Sequence, residues 1–267
     1  DQDISMLASK CVFGLLEAHT RSTSALVNNN ALQILANQLI ECKWIETAEF
    51  CMQALNIISR YRAAEISLNI GLDPFLKMID HFKLPIQRCA LLTTVNVTSI
   101  DITQKMTNHI PKLLELSKNP DPQLQKSAIK TINNIASRVS PENIKTEIST
   151  LLCQSAPLFL DALINLSTNE LHISKIIEAD VDFEKIFKET NNAEKQMSIL
   201  KLILNLLPSA RCLNQFPIPK HPRPDKKSTE FAVKIQPILL KLLLENPLSL
   251  KYLLMCITFT LNVHKFE

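Results

Sequence analysis

The run Ala128-Ile129-Lys130-Thr131-Ile132-Asn133-Asn134-Ile135-Ala136-Ser137 is the informative core of the chain. It opens on a small-apolar pair, Ala128-Ile129, and Asn134 follows six residues after the first member. Immediately upstream, Asn119-Pro120-Asp121-Pro122 forms a sharp turn, with Asp121 placed to cap a helix and Pro122 in its first turn, where a missing amide proton costs nothing. Before the turn, Pro111 opens a shorter helix over Lys112–Ser117, and Ile110–Ser117 reads as the second helix of the unit. A second helix, a tight link and a long third helix, Gln123–Val139, make one complete repeat.

The pair recurs. Cys11-Val12, Ala54-Leu55, Ala90-Leu91, Ala128-Ile129, Ala162-Leu163 and Ile199-Leu200 are separated by 43, 36, 38, 34 and 37 residues. Asn96, Asn134 and Asn205 each stand six residues after the first member of their pair. A period of about 40 residues with small-residue helix contacts marks an armadillo- or HEAT-type α-solenoid. The expected fold is therefore all-α, a right-handed armadillo/HEAT-like solenoid of about six to seven repeats. One continuous solenoid over 1–267 is expected, with its strongest repeats in 6–140, a Pro-rich basic loop at 214–230 and a final helix pair at 231–265.

Composition agrees. Only two of 267 residues are Gly, too few for the left-handed turns and phosphate loops of β-sandwiches, Rossmann units or P-loops. The 14 prolines mostly fall between apolar runs, where they start or stop helices. A net charge of +3 with mixed signs demands no nucleic acid. Seven cysteines, an odd number with no C-x-x-C spacing, predict reduced thiols in the cytoplasm or nucleus. No 18-residue apolar span exists, so no membrane span is expected. The chain begins at Asp1 without an initiator Met, which predicts a piece of a longer polypeptide.

Along the chain, Leu7, Cys11, Leu15 and Ala18 form the stripe expected of a buried third helix over Met6–Ala18. Asn28-Asn29-Asn30 breaks the chain before Ala31–Ile40, and Thr47 is the expected N-cap of Ala48–Arg60. Ala63–Leu68, Phe75–Phe82 after Asp73-Pro74, and Gln87–Val97 after Pro85 follow as helices, with Gly71 at a bend. Farther on, helices are expected over Glu142–Ser155, Pro157–Ser167, His172–Ala179, Asp182–Glu189 and Ala193–Leu207. After the Pro-rich stretch come Phe231–Glu245, kinked at Pro237, and Pro247–Val263; Ile238–Leu244 reads as solenoid core, not as a membrane segment.

At Ala48-Glu49-Phe50-Cys51-Met52-Gln53-Ala54-Leu55-Asn56-Ile57-Ile58-Ser59-Arg60 the sequence resembles the armadillo region of HECT-type ubiquitin ligases of the ubiquitin-fusion-degradation, thyroid-receptor-interacting and KAKTUS branch. Their pattern here is A-E-Q-x-L-x-A-L-x-x-I-S, and Ala48, Glu49, Ala54, Leu55, Ile58 and Ser59 match it in register. Ala25-Leu26-Val27, Ala31-Leu32, Gly71-Leu72, Asp80-His81-Phe82, Gln87-Arg88, Ala90-Leu91 and Leu206-Leu207-Pro208 extend the resemblance in order. Asn69 and Ile70, before Gly71, and Pro85 depart from it, so the chain resembles a divergent member. The resemblance implies a substrate- or partner-engaging module upstream of a separate catalytic domain. In that family the thioester-forming Cys lies in a C-terminal HECT domain, so none of the seven Cys here inherits that role.

Third helices of armadillo proteins line a concave groove, where an Asn often bonds the main chain of an extended peptide. Aligning the pairs puts Arg60, Asn96, Asn134 and Asn205 on one rung and Asn56, Leu92, Lys130 and Lys201 one turn earlier, with Arg138 continuing the line below Asn134. Asn56, Arg60, Asn96, Lys130, Asn134, Arg138, Lys201 and Asn205 are thus the candidate groove residues, since an amide offers both a donor and an acceptor to an extended backbone. The alternative is that they bond the neighbouring helix or face solvent. Trp44, the only Trp, lies in a linker, which disfavours recognition of a basic peptide by stacked Trp rings. Among six scattered histidines only His221 has a carboxylate, Asp225, at i, i+4 spacing, and that couple lies in the Pro-rich loop. No metal, cofactor or catalytic residue is expected. The basic residues between Lys220 and Lys227 are read either as an import signal or anionic-partner contact, or as a solvated loop. The functional expectation is a protein- or peptide-binding scaffold, either the substrate-recruiting module of a HECT-type ligase, engaging substrates that include ubiquitin-modified ones, or an importin-like or general armadillo/HEAT adaptor with no ubiquitin role.

Overall fold

A computed structural model describes residues 1–41, 44–81, 83–100, 104–190, 192–207 and 230–237. Its regular elements are α-helices: α1 (Gln2–Ala18), α2 (Ser22–Asn28), α3 (Ala31–Glu41), α4 (Ile45–Ser59), α5 (Ala63–Asn69), α6 (Asp73–His81), α7 (Leu84–Ile100), α8 (Ile110–Leu116), α9 (Pro122–Ala136), α10 (Thr146–Cys153), α11 (Leu160–Leu166), α12 (Glu170–Glu178), α13 (Phe183–Glu189) and α14 (Ala193–Leu206). Short 3-10 turns cover Gln104–His109, Pro141–Asn143 and Ala156–Leu158, and 230–237 is also helical. No strand occurs among the described residues, and no helix among them is long and apolar enough to cross a membrane. The chain divides into two compact units, Asp1–Val139 and Ser140–Glu267.

In the first unit the long helices α1, α4, α7 and α9 stack side by side, each on the next. The shorter α3, α6 and α8 pack against α4, α7 and α9. The recurring pair explains the stack. Ala54, Leu55, Ala90, Leu91 and Ala128 are wholly buried, and a small side chain at the seam lets neighbouring axes approach to about 8–10 Å. In the second unit α11 packs on α14, and Ala162, Leu163, Ile199 and Leu200 are buried there in the same way.

Polar groups tie successive repeats together. Lys77 Nζ donates to the Ile40 carbonyl at 3.2 Å, and one repeat later Lys112 Nζ donates to the Leu76 carbonyl at 2.8 Å and to Asp80 at 2.5 Å. Asp121 caps α9, accepting from the Leu124 amide at 2.9 Å, with Pro122 in the first turn as expected. The same carboxylate is paired with the Arg88 guanidinium of α7 and keeps only 11% of its side-chain surface exposed. The Arg88 hydrogen bond, followed by the Leu124 amide, holds the Asp121 carboxyl below its usual value of 3.8. A folded value below the unfolded one stabilises the fold above the ordinary carboxylate range, and that stability is lost as pH falls through the depressed value. Urea midpoints measured from neutral to acid pH should therefore fall less steeply in Asp121→Asn than in the parent chain; parallel curves would remove Asp121 from the acid response.

Four local readings need correction. The stripe Leu7, Cys11, Leu15 and Ala18 is not buried: Leu7 is 54% and Leu15 49% exposed, because α1 turns Ser9 and Leu16 toward α4 and leaves the stripe on solvent. Helix α2 was not expected at all. Thr47 is not an N-cap, since α4 starts at Ile45 with Trp44 in the cap position. Thr47 lies inside the first turn, fully buried, and its Oγ1 has no hydrogen-bond partner. A buried hydroxyl without a partner carries its desolvation cost uncompensated, so Thr47→Val should raise stability by about 1 kcal/mol, read as a higher urea midpoint; a lower midpoint would refute this. Finally, Glu142–Ser155 is not one helix, because extended backbone at Ile144 and Lys145 separates the Pro141 turn from α10.

Gly71 takes the left-handed bend after α5, at φ 75°, and Asn30 does the same before α3, at φ 58°. The Pro-rich basic stretch and Ile238–Leu244, Pro247–Val263, Phe82, Pro208, His221 and His264 lie outside the described residues, as do Cys42, Cys212 and Cys256.

Candidate functional site

The stacked third helices leave one face of each uncovered. On α4 it is Gln53, Ile57 and Arg60; on α7, Cys89, Leu92 and Asn96; on α9, Lys126, Ile129, Lys130 and Asn134. The spacing of three and four residues puts each set on one side of its helix.

Asn96 and Asn134 on this face bond across to the neighbouring helix, and Asn205 in the second unit does likewise. Asn96 Nδ2 donates to Ser59 Oγ at 2.8 Å, Asn134 Nδ2 to Thr98 Oγ1 at 3.2 Å, and, in the second unit, Asn205 Nδ2 to Ser167 Oγ at 2.9 Å. Each hydroxyl in turn donates a hydrogen bond to a carbonyl of its own helix: Ser59 to Asn56, Thr98 to Thr94, Ser167 to Ile164. Three helix pairs, two in the first unit and one in the second, thus share one device, an Asn amide clasping the hydroxyl of the helix before it. The Oδ1 atoms of these three asparagines accept no hydrogen bond among the described residues. Asn56 is only 7% exposed and takes a long hydrogen bond, 3.5 Å, from the Thr93 hydroxyl. Arg138 donates to the Ser99 carbonyl at 2.7 Å. Arg60, Lys130 and Lys201 are exposed, and their side chains make no ion pair or hydrogen bond among the described residues.

Asn56 and Arg60 come together in an open cleft of about 350 Å³ between α1 and α4, shared with Phe13, Leu16, Glu17, Thr20, Gln53, Ile57, Tyr61 and Cys89. Phe13 and Glu17 stand two and six residues after Cys11, as Asn56 and Arg60 do after Ala54, so the repeat frame carried back into α1 would have found them. Tyr61 and Cys89 carried no such signal. Burial pushes the Cys89 thiol above its usual value, while the nearby Arg60 charge pulls the other way.

The backbone matches solved structures of designed armadillo repeat proteins. One, in complex with the peptide (KR)4, superposes with a TM-score of 0.60 at 19% identity, covering 77% of this chain and 94% of that one. Another, computationally designed for modular peptide recognition, reaches 0.63 at 18% identity with the same coverage. This chain is an armadillo-type repeat solenoid. Its sequence resembles E3 ubiquitin-protein ligase UPL4 of Arabidopsis thaliana, 30% identical over 176 residues, which are 64% of this chain and 11% of that protein. It also resembles ubiquitin fusion degradation protein 4 of Saccharomyces cerevisiae, 27% identical over 97 residues, 36% of this chain and 6% of that one. The chain therefore spans only about a tenth or less of the curated relatives it matches. No protein-family model matches it. The solenoid is thus a divergent one, in keeping with the departures around Asn69, Ile70 and Pro85.

Proposed function

We propose that this armadillo-type solenoid holds protein substrates for a HECT-type E3 ubiquitin ligase in ubiquitin-dependent degradation, working in the cytoplasm or nucleus. The observation that carries this reading is the similarity, over most of the chain, to a ubiquitin ligase, joined to a stack of third helices with one face uncovered. On this reading the uncovered face is the holding surface. In the first unit Arg60 and Lys130 supply free cations, the Oδ1 atoms of Asn96 and Asn134 supply acceptors, and Asn56 and Arg138 brace the wall from which they project; in the second unit Lys201 and Asn205 offer the same two groups on α14.

The test uses the longer, HECT-bearing polypeptide to which this reading assigns the chain. Arg60→Glu with Lys130→Glu should leave ubiquitin thioester formation intact and slow ubiquitin transfer to a bound substrate by about tenfold, the scale of losing one or two charge-assisted contacts. Unchanged transfer would place substrate holding elsewhere. A parent polypeptide that forms no ubiquitin thioester would leave a general adaptor scaffold as the function.

A further inference from the structure

The charges on the first unit's uncovered face are not evenly spread. Helix α7 contains no Asp or Glu, and its one cation, Arg88, is neutralised by Asp121. Helix α9 contains no acid either, only Lys126 and Lys130. The second half of α4, from Cys51 to Ser59, is uncharged and ends at Arg60. From Arg60 across to Lys130 the face therefore offers Arg60, Lys126 and Lys130, which make no ion pair among the described residues, interleaved with Asn96, Asn134, Leu92 and Ile129, and α7 and α9 themselves bring no carboxylate to it. Glu46 and Glu49 lie at the opposite end of α4 from Arg60, while Glu17 of α1 lines the same cleft as Arg60.

Resting on the peptide-holding reading above, we infer that this face takes an extended acidic segment of another protein, with a bulky apolar side chain in the α1–α4 cleft and carboxylates on Arg60 and Lys130. The cleft offers Phe13, Leu16, Ile57 and Tyr61 to the apolar group. Glu17, on the cleft rim, repels a further carboxylate there, which fixes the order: apolar residue at α1, acidic residues over α4 to α9. Two helix spacings separate α4 from α9, about 16–20 Å. An extended chain covers that in about five to six residues. The selection is opposite in sign to the (KR)4 peptide held by the designed neighbour. The three cations Arg60, Lys126 and Lys130 have one exposed ring beside them, Tyr61 next to Arg60, and α7 and α9 carry no aromatic residue. The face thus has no ladder on which successive bases could stack, which sets single-stranded nucleic acid aside.

The probe is a fluorescein-labelled peptide with one Phe followed by Glu residues at that spacing, titrated into the 267-residue chain beside its Lys-substituted counterpart, (KR)4 and a short oligothymidine. The acidic peptide should bind most tightly, weaken as salt is raised, and lose about tenfold in affinity with either Arg60→Glu or Lys130→Glu. Arg60→Gln and Lys130→Gln should lose less, and circular dichroism melts check that all four variants fold. The bound peptide should also slow alkylation of Cys89, read by mass spectrometry. Equal or tighter binding of (KR)4, indifference to the charge reversals, or tighter binding of oligothymidine would overturn the inference. Peptides of every charge that bind alike and shield Cys89 would overturn the acid selection and leave the holding wall standing. Failure of every peptide to bind or to shield Cys89 would overturn both.

Discussion

Replacing Leu91 by Ala should cost about 3 kcal/mol, the scale for deleting a wholly buried leucine side chain that its surroundings cannot collapse to fill. Leu91 has no exposed surface, and it stands next to Ala90 on α7, the helix gripped by α4, α6 and α9. The loss is transfer free energy plus a cavity in the middle of the stack, where both neighbouring seams resist relaxation. Leu68→Ala is the internal contrast. Leu68 is 80% exposed on α5, so its truncation should change stability by less than about 0.5 kcal/mol. Urea unfolding followed by circular dichroism measures both. Equal effects at the two positions would mean that the recurring pair is not what holds the repeats together.

His172→Ala should cost about as much, about 3 kcal/mol, for a different reason. The ring is buried in the second unit between α12, α10 and the Pro141 turn. Its Nε2 lies 2.8 Å from the Pro141 carbonyl, which can only accept, so Nε2 carries the proton. Nδ1 is then free to accept from the Ser149 hydroxyl at 2.7 Å. Truncation leaves the buried Ser149 hydroxyl without its partner, at about 1–3 kcal/mol, takes from the Pro141 carbonyl one of its two hydrogen bonds (the Ile144 amide, at 3.0 Å, remains), and opens a cavity where the ring was. The check is the urea midpoint of His172→Ala beside that of Ser149→Ala, which removes only one of the two bonds and should cost less. A His172→Ala loss below about 1 kcal/mol would show that water replaces the ring.

The repeat architecture was legible because close packing imposes a period. Ala54, Ala90, Ala128 and Ala162 are small for the same geometric reason, and chain position alone reveals it. Features set by a single contact were harder to read. Helix α2 is a short Ser- and Asn-bearing segment with weak intrinsic preference, held by its packing on α3. Thr47 looks like a cap by residue type, yet the helix begins a turn earlier, and nothing local distinguishes the two starts. The α1 stripe has the right periodicity but its burial depends on a neighbour, which periodicity cannot supply. At the candidate site the asparagines were found from their offset to the apolar pair, and the alternative that they bond the neighbouring helix describes their amide donors. Their hydroxyl partners were missed, although Ser59 and Ser167 both stand five residues after the first member of their pairs. That offset is a usable sign of the clasp in other chains.

The clasps all point one way along the chain, from a helix to its predecessor. Helix α4 ends at Arg60 where α7 and α9 carry Asn, so no such clasp reaches back to α1, whose outer stripe is wet. The first unit should therefore fray from α1 inward. Amide protons of α1 should exchange with solvent soonest, and those in the middle of α7, clasped on both flanks through Ser59 and Asn134, should exchange slowest.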